Sequence, residues 1–120
     1  MSAIAFIIED DEDLSTIFAD ALETVGYKVE QIKDGLKAQQ RLKEDVPHLI
    51  LLDMHLPHIS GADLLTEIKS NERFSSTNVI LTTADARMAE AYEGQADFVM
   101  VKPISFVQLR DLTARLKPQM

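Results

Sequence analysis

Glu9, Asp10, Asp53, Thr83 and Lys102 share one position in the chain's pattern: each stands at or just past the end of a short apolar run. The runs are IAFII before the acidic pair, LILL before Asp53, VILT before Thr83 and FVMV before Lys102. Three carboxylates brought together repel one another, which raises at least one pKa unless a cation sits among them. Hard oxygen donors of this kind suit Mg²⁺, or Mn²⁺ in its place, which takes one or two carboxylates together with waters and phosphate oxygens. Lys102 adds a point charge for a carboxylate or phosphoryl oxygen, and Thr83 adds a hydroxyl donor. Phosphoryl transfer is largely positioning and charge neutralisation, and these groups supply both. One carboxylate then acts as nucleophile and becomes an acyl phosphate. Asp53 is assigned that role, because it stands alone at its run's end and a loop-like MHLPHISG follows it.

The elements that must position these groups alternate. Ile4 to Ile8, Tyr27 to Ile32, Leu49 to Leu52, Val79 to Leu81 and Phe98 to Val101 read as strands, several of them apolar throughout and so buried on both faces. Leu14, Ile17, Phe18, Ala21, Leu22 and Val25 make a helical stripe, capped by Asp13 and stopped by Gly26. A polar helix follows Asp34 and Gly35, with Leu36, Ala38, Leu42 and Val46 as its weak apolar side and Pro47 as its end. Leu64, Leu65 and Ile68 begin a helix that fades into the polar stretch SNERFSST. Ala84 to Tyr92 is a short, alanine-rich helix, and Phe106, Leu109, Leu112 and Leu116 mark a last amphipathic one. Strand then helix, five times, predicts an α/β fold: a doubly wound, five-stranded parallel sheet. In such sheets ligands bind outside the carboxyl ends of the strands, so the five groups are expected in one crevice.

The 120 residues are read as one domain, 1–120. A net charge of −8 without a Lys/Arg-rich tract argues against direct nucleic-acid or anionic-membrane binding. No cysteine is present, which excludes disulfides and thiolate chemistry. The first apolar run has no basic flank and meets acids at once, unlike a signal peptide, and no run approaches the about 20 residues that span a bilayer. A cytoplasmic protein is expected.

IIEDDEDL, LILLDMHLPHISG, VILTTA and VMVKPI, in that order and at successive strand ends, resemble the receiver domain of two-component response regulators over essentially the whole chain. The resemblance implies a flavodoxin-like (βα)5 fold with strand order 2-1-3-4-5. It places Glu9 and Asp10 on the acidic metal pair, Asp53 on the phosphoacceptor, His55 on the position whose backbone carbonyl completes the Mg²⁺ shell, Thr83 on the switch hydroxyl and Lys102 on the pattern's lysine, with a cis bond to Pro103. It implies a sensor histidine kinase or histidine phosphotransfer protein as donor. The output partner or fused effector docks on the face built from the fourth helix, fifth strand and fifth helix. A signalling switch is implied, catalysing only its own phosphorylation and dephosphorylation. His55 and Asp85, two places after the Asp and the Thr, are candidates for tuning acyl-phosphate lifetime.

Rival readings exist for each group. Asp11 and Asp13 are read as helix caps. A lone Asp closing a strand also serves as a structural cap, but that leaves Lys102 and the acidic pair without a joint explanation. His55 and His58 read as solvent-facing loop residues, since their spacing in a proline-containing loop makes no helix-face metal site. A dehalogenase-type phosphatase needs a second Asp where His55 stands. A flavin protein needs a Ser/Thr/Gly-rich phosphate loop where EDDED stands. A pseudo-receiver, the same fold as a constitutive interaction module, is the main alternative. One departure from the family pattern stands out: the aromatic common three residues before the lysine is replaced by Val99, with Phe98 one place earlier. Either the strand is bulged or the rotating aromatic is absent, and the second is expected, with output carried by the Thr83 loop and fourth helix. The chain is either a stand-alone receiver or a piece of a longer regulator.

Overall fold

The computed structural model describes residues 2–120. Five strands are present: β1 (Ala3–Ile8), β2 (Tyr27–Ile32), β3 (Leu49–Asp53), β4 (Asn78–Thr83) and β5 (Phe98–Val101). They alternate with α1 (Glu12–Thr24), α2 (Gly35–Glu44), α3 (Gly61–Lys69), α4 (Ala86–Tyr92) and α5 (Phe106–Leu116), and a single 3₁₀ turn, Glu72–Phe74, follows α3. All pairings are parallel and the order is β2-β1-β3-β4-β5, as the strand–helix alternation and the resemblance lead one to expect.

The central strands β1, β3 and β4 carry the apolar runs AIAFII, LILL and VIL because helices cover both faces of the sheet. Phe6, Ile8, Ile50, Leu52, Val79 and Leu81 face a layer with Ala38, Leu42, Leu64, Leu65 and Ile68. Ala3, Ala5, Ile7, Leu49, Leu51 and Ile80 face Phe18, Ala21, Leu22 and Leu109 on the other side. Truncating a fully buried side chain such as Leu52 removes about 2–5 kcal/mol in sites of this kind. Tyr27 closes the second layer: its hydroxyl donates to the Thr113 carbonyl at 2.8 Å, and burial pushes its pKa up to about 12.

Several local expectations are corrected. Asp11, not Asp13, caps α1, its carboxylate accepting from the Leu14 amide at 3.0 Å, while Asp13 lies in the first turn. Ile17 is 46% exposed and drops out of the buried stripe, whose inner side is Phe18, Ala21 and Leu22, joined by the small polar Ser15. Leu36 and Val46 are also exposed, so α2 rests on Gly35, Ala38 and Leu42 alone. Arg41 supplements that thin contact: its guanidinium binds both Glu30 oxygens at 2.6 and 2.9 Å and lies 5.5 Å over the Phe6 ring. The polar stretch after α3 hides one anchor, Phe74, which is buried in the first core layer. Gly26 does end α1 with φ +99°, a conformation that L side chains rarely adopt.

Candidate functional site

The chemistry-bearing residues sit where β1, β3, β4 and β5 end. Glu9 follows β1 and is 2% exposed; its amide donates to the Ile32 carbonyl, continuing the β1–β2 ladder by one residue. Asp53 is the last residue of β3, pairs with Thr82 and is 4% exposed. Asp10, by contrast, is exposed. One carboxylate oxygen from each of Glu9, Asp10 and Asp53 lies within 4.8 Å of the others.

Lys102 bridges the two buried acids. Its Nζ donates to Glu9 Oε1 at 2.7 Å and to Asp53 Oδ1 at 3.3 Å, and its main-chain amide donates to the Thr83 carbonyl at 2.7 Å. The other Glu9 oxygen, Oε2, accepts from the Asp11 amide at 3.1 Å. Burial is the main force on Glu9, raising its pKa to about 7 against the opposing pull of Lys102 and the Asp11 amide, while the Asp53 charge adds a smaller upward push. Desolvation pulls the Lys102 pKa down, but the bond to Glu9 and the Asp53 charge outweigh it and the value is raised. Carboxylate repulsion, expected from the sequence as the reason for a raised pKa, is thus present but secondary to burial.

The donor set fits a hard divalent cation: three carboxylates against one ammonium, all oxygen ligands, with one acid open to solvent. The His55 main-chain oxygen accepts no hydrogen bond among the described residues, and the His55 residue itself is exposed. Met54 is buried under the cleft and its amide donates to the Thr82 carbonyl at 2.9 Å, tying the start of the β3–α3 loop to β4. Gly61, at the start of α3, donates to the Met54 carbonyl at 2.9 Å, and a Cβ there would collide with the Asp53 carbonyl. The Lys102–Pro103 peptide is cis.

Thr82 and Thr83 are both buried, at opposite faces of β4. Thr83 Oγ1 accepts from the Asp85 amide at 3.1 Å. Asp85 Oδ1 caps α4, accepting from the Arg87 and Met88 amides at 2.8 and 3.4 Å. Strand β5 runs in unbroken register with β4, Leu81 opposite Val99 and Thr83 opposite Val101, so no bulge brings Phe98 into line. Val99 packs in the layer of Met88 and Tyr92, and Phe98 lies on the other face. Two contributors were not legible from residue type: the Asp11 amide on Glu9 and the close approach of Gly61 to the Asp53 strand end. The run of acids after β1 contained the signal for the first, because an N-cap turns its own amide toward the preceding strand end.

Among known proteins, residues 5–114 match the family described as the response regulator receiver domain. The polar-differentiation response regulator DivK of Brucella abortus is 32% identical over 108 residues, 88% of this chain and 88% of DivK. The phosphate regulon transcriptional regulatory protein PhoB of Rhizobium meliloti is 32% identical over 120 residues, 94% of this chain but 53% of PhoB, so the chain spans about half of that relative's length. The receiver domain of a sensor histidine kinase from Pseudomonas aeruginosa, solved with a magnesium ion in its active-site cleft, superposes with a TM-score of 0.85 at 23% identity, covering 97% of this chain and 98% of that one. No helix among the described residues is long and apolar enough to cross a membrane. With matching sequence over nearly its whole length, and the sheet order and acidic strand-end cluster to go with it, this chain belongs to the response regulator receiver domain family.

Proposed function

We propose that the chain accepts a phosphoryl group on Asp53 in a Mg²⁺-dependent reaction and signals by the change this makes at its surface. The observation that carries the reading is the buried Asp53 carboxylate, 3.3 Å from the Lys102 ammonium and clustered with the Glu9 and Asp10 oxygens. Glu9, Asp10, Asp53 and the His55 carbonyl would hold Mg²⁺, or Mn²⁺. The cation, when bound, neutralises charge on the transferring phosphoryl group.

An Asp53 oxygen attacks the phosphorus of a phosphohistidine. The phosphorus–nitrogen bond breaks as the new oxygen–phosphorus bond forms, and the imidazole leaves with the electron pair and takes up a proton. Lys102 has a Coulombic partner before and after the step: Asp53 in the free domain, a phosphoryl oxygen in the product. Thr83 offers its hydroxyl to a second phosphoryl oxygen. His55 and Asp85, both exposed, are the side chains proposed to influence hydrolysis, and identical pH profiles of dephosphorylation in the unaltered chain and His55→Ala would exclude His55.

The donor is a sensor histidine kinase or a histidine phosphotransfer protein. The output partner, separate or fused, docks on the α4–β5–α5 face, where Phe98, Val101, Phe106 and Val107 are exposed. Residues 1–120 act as one domain in the cytoplasm, without direct contact to nucleic acid or membrane. Incubation with a small phosphodonor and Mg²⁺, followed by intact mass, tests the central claim. A single phosphoryl adduct is expected, absent with chelator and absent in Asp53→Asn. No adduct with any donor overturns it in favour of a binding module without chemistry.

A further inference from the structure

We infer that Gly35 is a positioning residue for the loop that follows Asp53, and that cation binding in the cleft and the seat of α2 are linked through it. The inference rests on the reading of the strand-end acids as a Mg²⁺ site. Its ground is one hydrogen bond and one close approach. The Gly35 amide donates to the Pro57 carbonyl at 3.1 Å, and the Ile59 amide donates to the same oxygen at 2.9 Å, so both lone pairs of that carbonyl are used. A Cβ on Gly35 would collide with the Ile59 carbonyl oxygen and lie 2.7 Å from the Ile59 Cβ. Gly35 is the first residue of α2 and its φ is not positive, so the space taken by the loop, not the backbone conformation, is what excludes a side chain here.

Two features give this contact consequence. First, the loop has few other ties. Its ends are fixed where the Met54 amide meets the Thr82 carbonyl and the Gly61 amide meets the Met54 carbonyl. Between them, among the described residues, the Gly35 bond is the one hydrogen bond that reaches residues 55–60 from outside the loop and α3, and Leu56 and Ile59 are only half-buried. This segment carries the His55 carbonyl, the one main-chain oxygen of the proposed cation set. Freeing Pro57 frees the segment, and the entropy of ordering it then counts against cation binding. Second, α2 is lightly held at that end. Asp34 caps it through the Lys37 amide at 2.8 Å, Leu36 is 52% exposed, and the Gly35 N–H is one of the helix-end donors that the helix itself cannot satisfy. The Pro57 carbonyl supplies the acceptor, so a loop ordered by the cation orders the first turn of α2 as well. Coupling of this kind is reciprocal: the factor by which a displaced α2 weakens the cation is the factor by which the cation holds α2 in place.

Mg²⁺ alone, without a phosphodonor, serves as the probe, with calorimetric titration and amide exchange as readouts. Gly35→Ala is expected to weaken Mg²⁺ binding by about fivefold or more, the lower end for coupled sites. Leu42→Ala opens a cavity at the far end of the same helix and loses stability, but should keep the Mg²⁺ affinity of the unaltered chain within about twofold. In the unaltered chain, saturating Mg²⁺ should slow exchange at the Gly35 and Ile59 amides by about fivefold or more, and leave the Asp45 amide, bonded to the Arg41 carbonyl at the other end of α2, unchanged. Unweakened binding in Gly35→Ala, or equal weakening by Gly35→Ala and Leu42→Ala, overturns the inference. So does Gly35 exchange that Mg²⁺ leaves unchanged or slows no more than at Asp45, a result the unaltered chain gives even if Gly35→Ala does not fold. Each of these outcomes leaves the Mg²⁺ site itself standing. An unaltered chain that binds no Mg²⁺ sinks the site reading and removes this inference with it.

Discussion

Glu9 is held between two demands. Its oxygens bind Lys102 and the Asp11 amide, which favour the charged form, yet its burial favours the neutral form and prevails, bringing the pKa to about 7. The folded chain therefore binds a proton on Glu9 more tightly than the unfolded chain, whose carboxyl titrates near the ordinary value of 4.5. The stability this contributes is fully present below pH 4.5 and is lost as pH rises through about 7. In chelator, the difference in unfolding free energy between the unaltered chain and Glu9→Gln should thus shift against the unaltered chain across that window, and urea titrations at a series of pH values measure it. A difference that is flat with pH contradicts the raised pKa. A second residue-scale tension lies at His58, where φ is +72° and the Ile59 amide reaches back to the Pro57 carbonyl at 2.9 Å. That tight turn suits glycine, and a side chain there costs about 1–2 kcal/mol. After the entropic penalty of glycine, His58→Gly should raise stability by about 0.5–1 kcal/mol, with His58→Ala giving no gain.

At the scale of elements, the β3–α3 junction decides how accurately Asp53 is presented. The loop leaves the strand under Asp53 and returns so closely that Gly61 touches the Asp53 main chain, while the Gly35 amide at the start of α2 holds the Pro57 carbonyl at 3.1 Å. Gly61→Ala cannot be accommodated without moving either α3 or the end of β3. It is expected to cost about 2 kcal/mol or more in urea unfolding and to slow phosphorylation by small donors even where the fold survives. Near-native stability and rate would show that the junction yields easily. The existence and order of the elements were legible because buried parallel strands are continuous apolar runs, as in LILL and VILT. Helix edges were less so. Five consecutive acids, Glu9 to Asp13, precede Leu14, and their residue types alone do not single out Asp11 as the cap. Phe74 was missed because one aromatic in a polar stretch has no period to announce it.

Across the whole molecule, the sheet separates two core layers, and on the phosphoacceptor reading a signal from Asp53 must choose between them. Glu9, Asp53 and Lys102 were legible as one cluster because strand polarity alone brings strand ends together, whereas the hydrogen bonds among them depend on side-chain directions that spacing does not encode. The same distinction governs Phe98. The β4–β5 register sets Val99 and Val101 on the face of Leu81 and Thr83, with α4, and Phe98 on the face of Ile80 and Met100, toward α5. A ring on that face has the whole sheet between it and the space beside Thr83, and a strand cannot rotate one side chain across without a register slip that would invert its neighbours as well. Val99, short and β-branched, has no ring to turn. On the phosphoacceptor reading, the route left to the signal is the main chain from Thr83 to Tyr92. Structures with and without beryllofluoride and Mg²⁺ should differ in that segment while Phe98 keeps its 37% exposure and its place on the α5 side. A Phe98 ring that becomes buried beside Thr83 in the beryllofluoride complex would mean that β5 changes register on activation, and the local route through α4 would have to be abandoned.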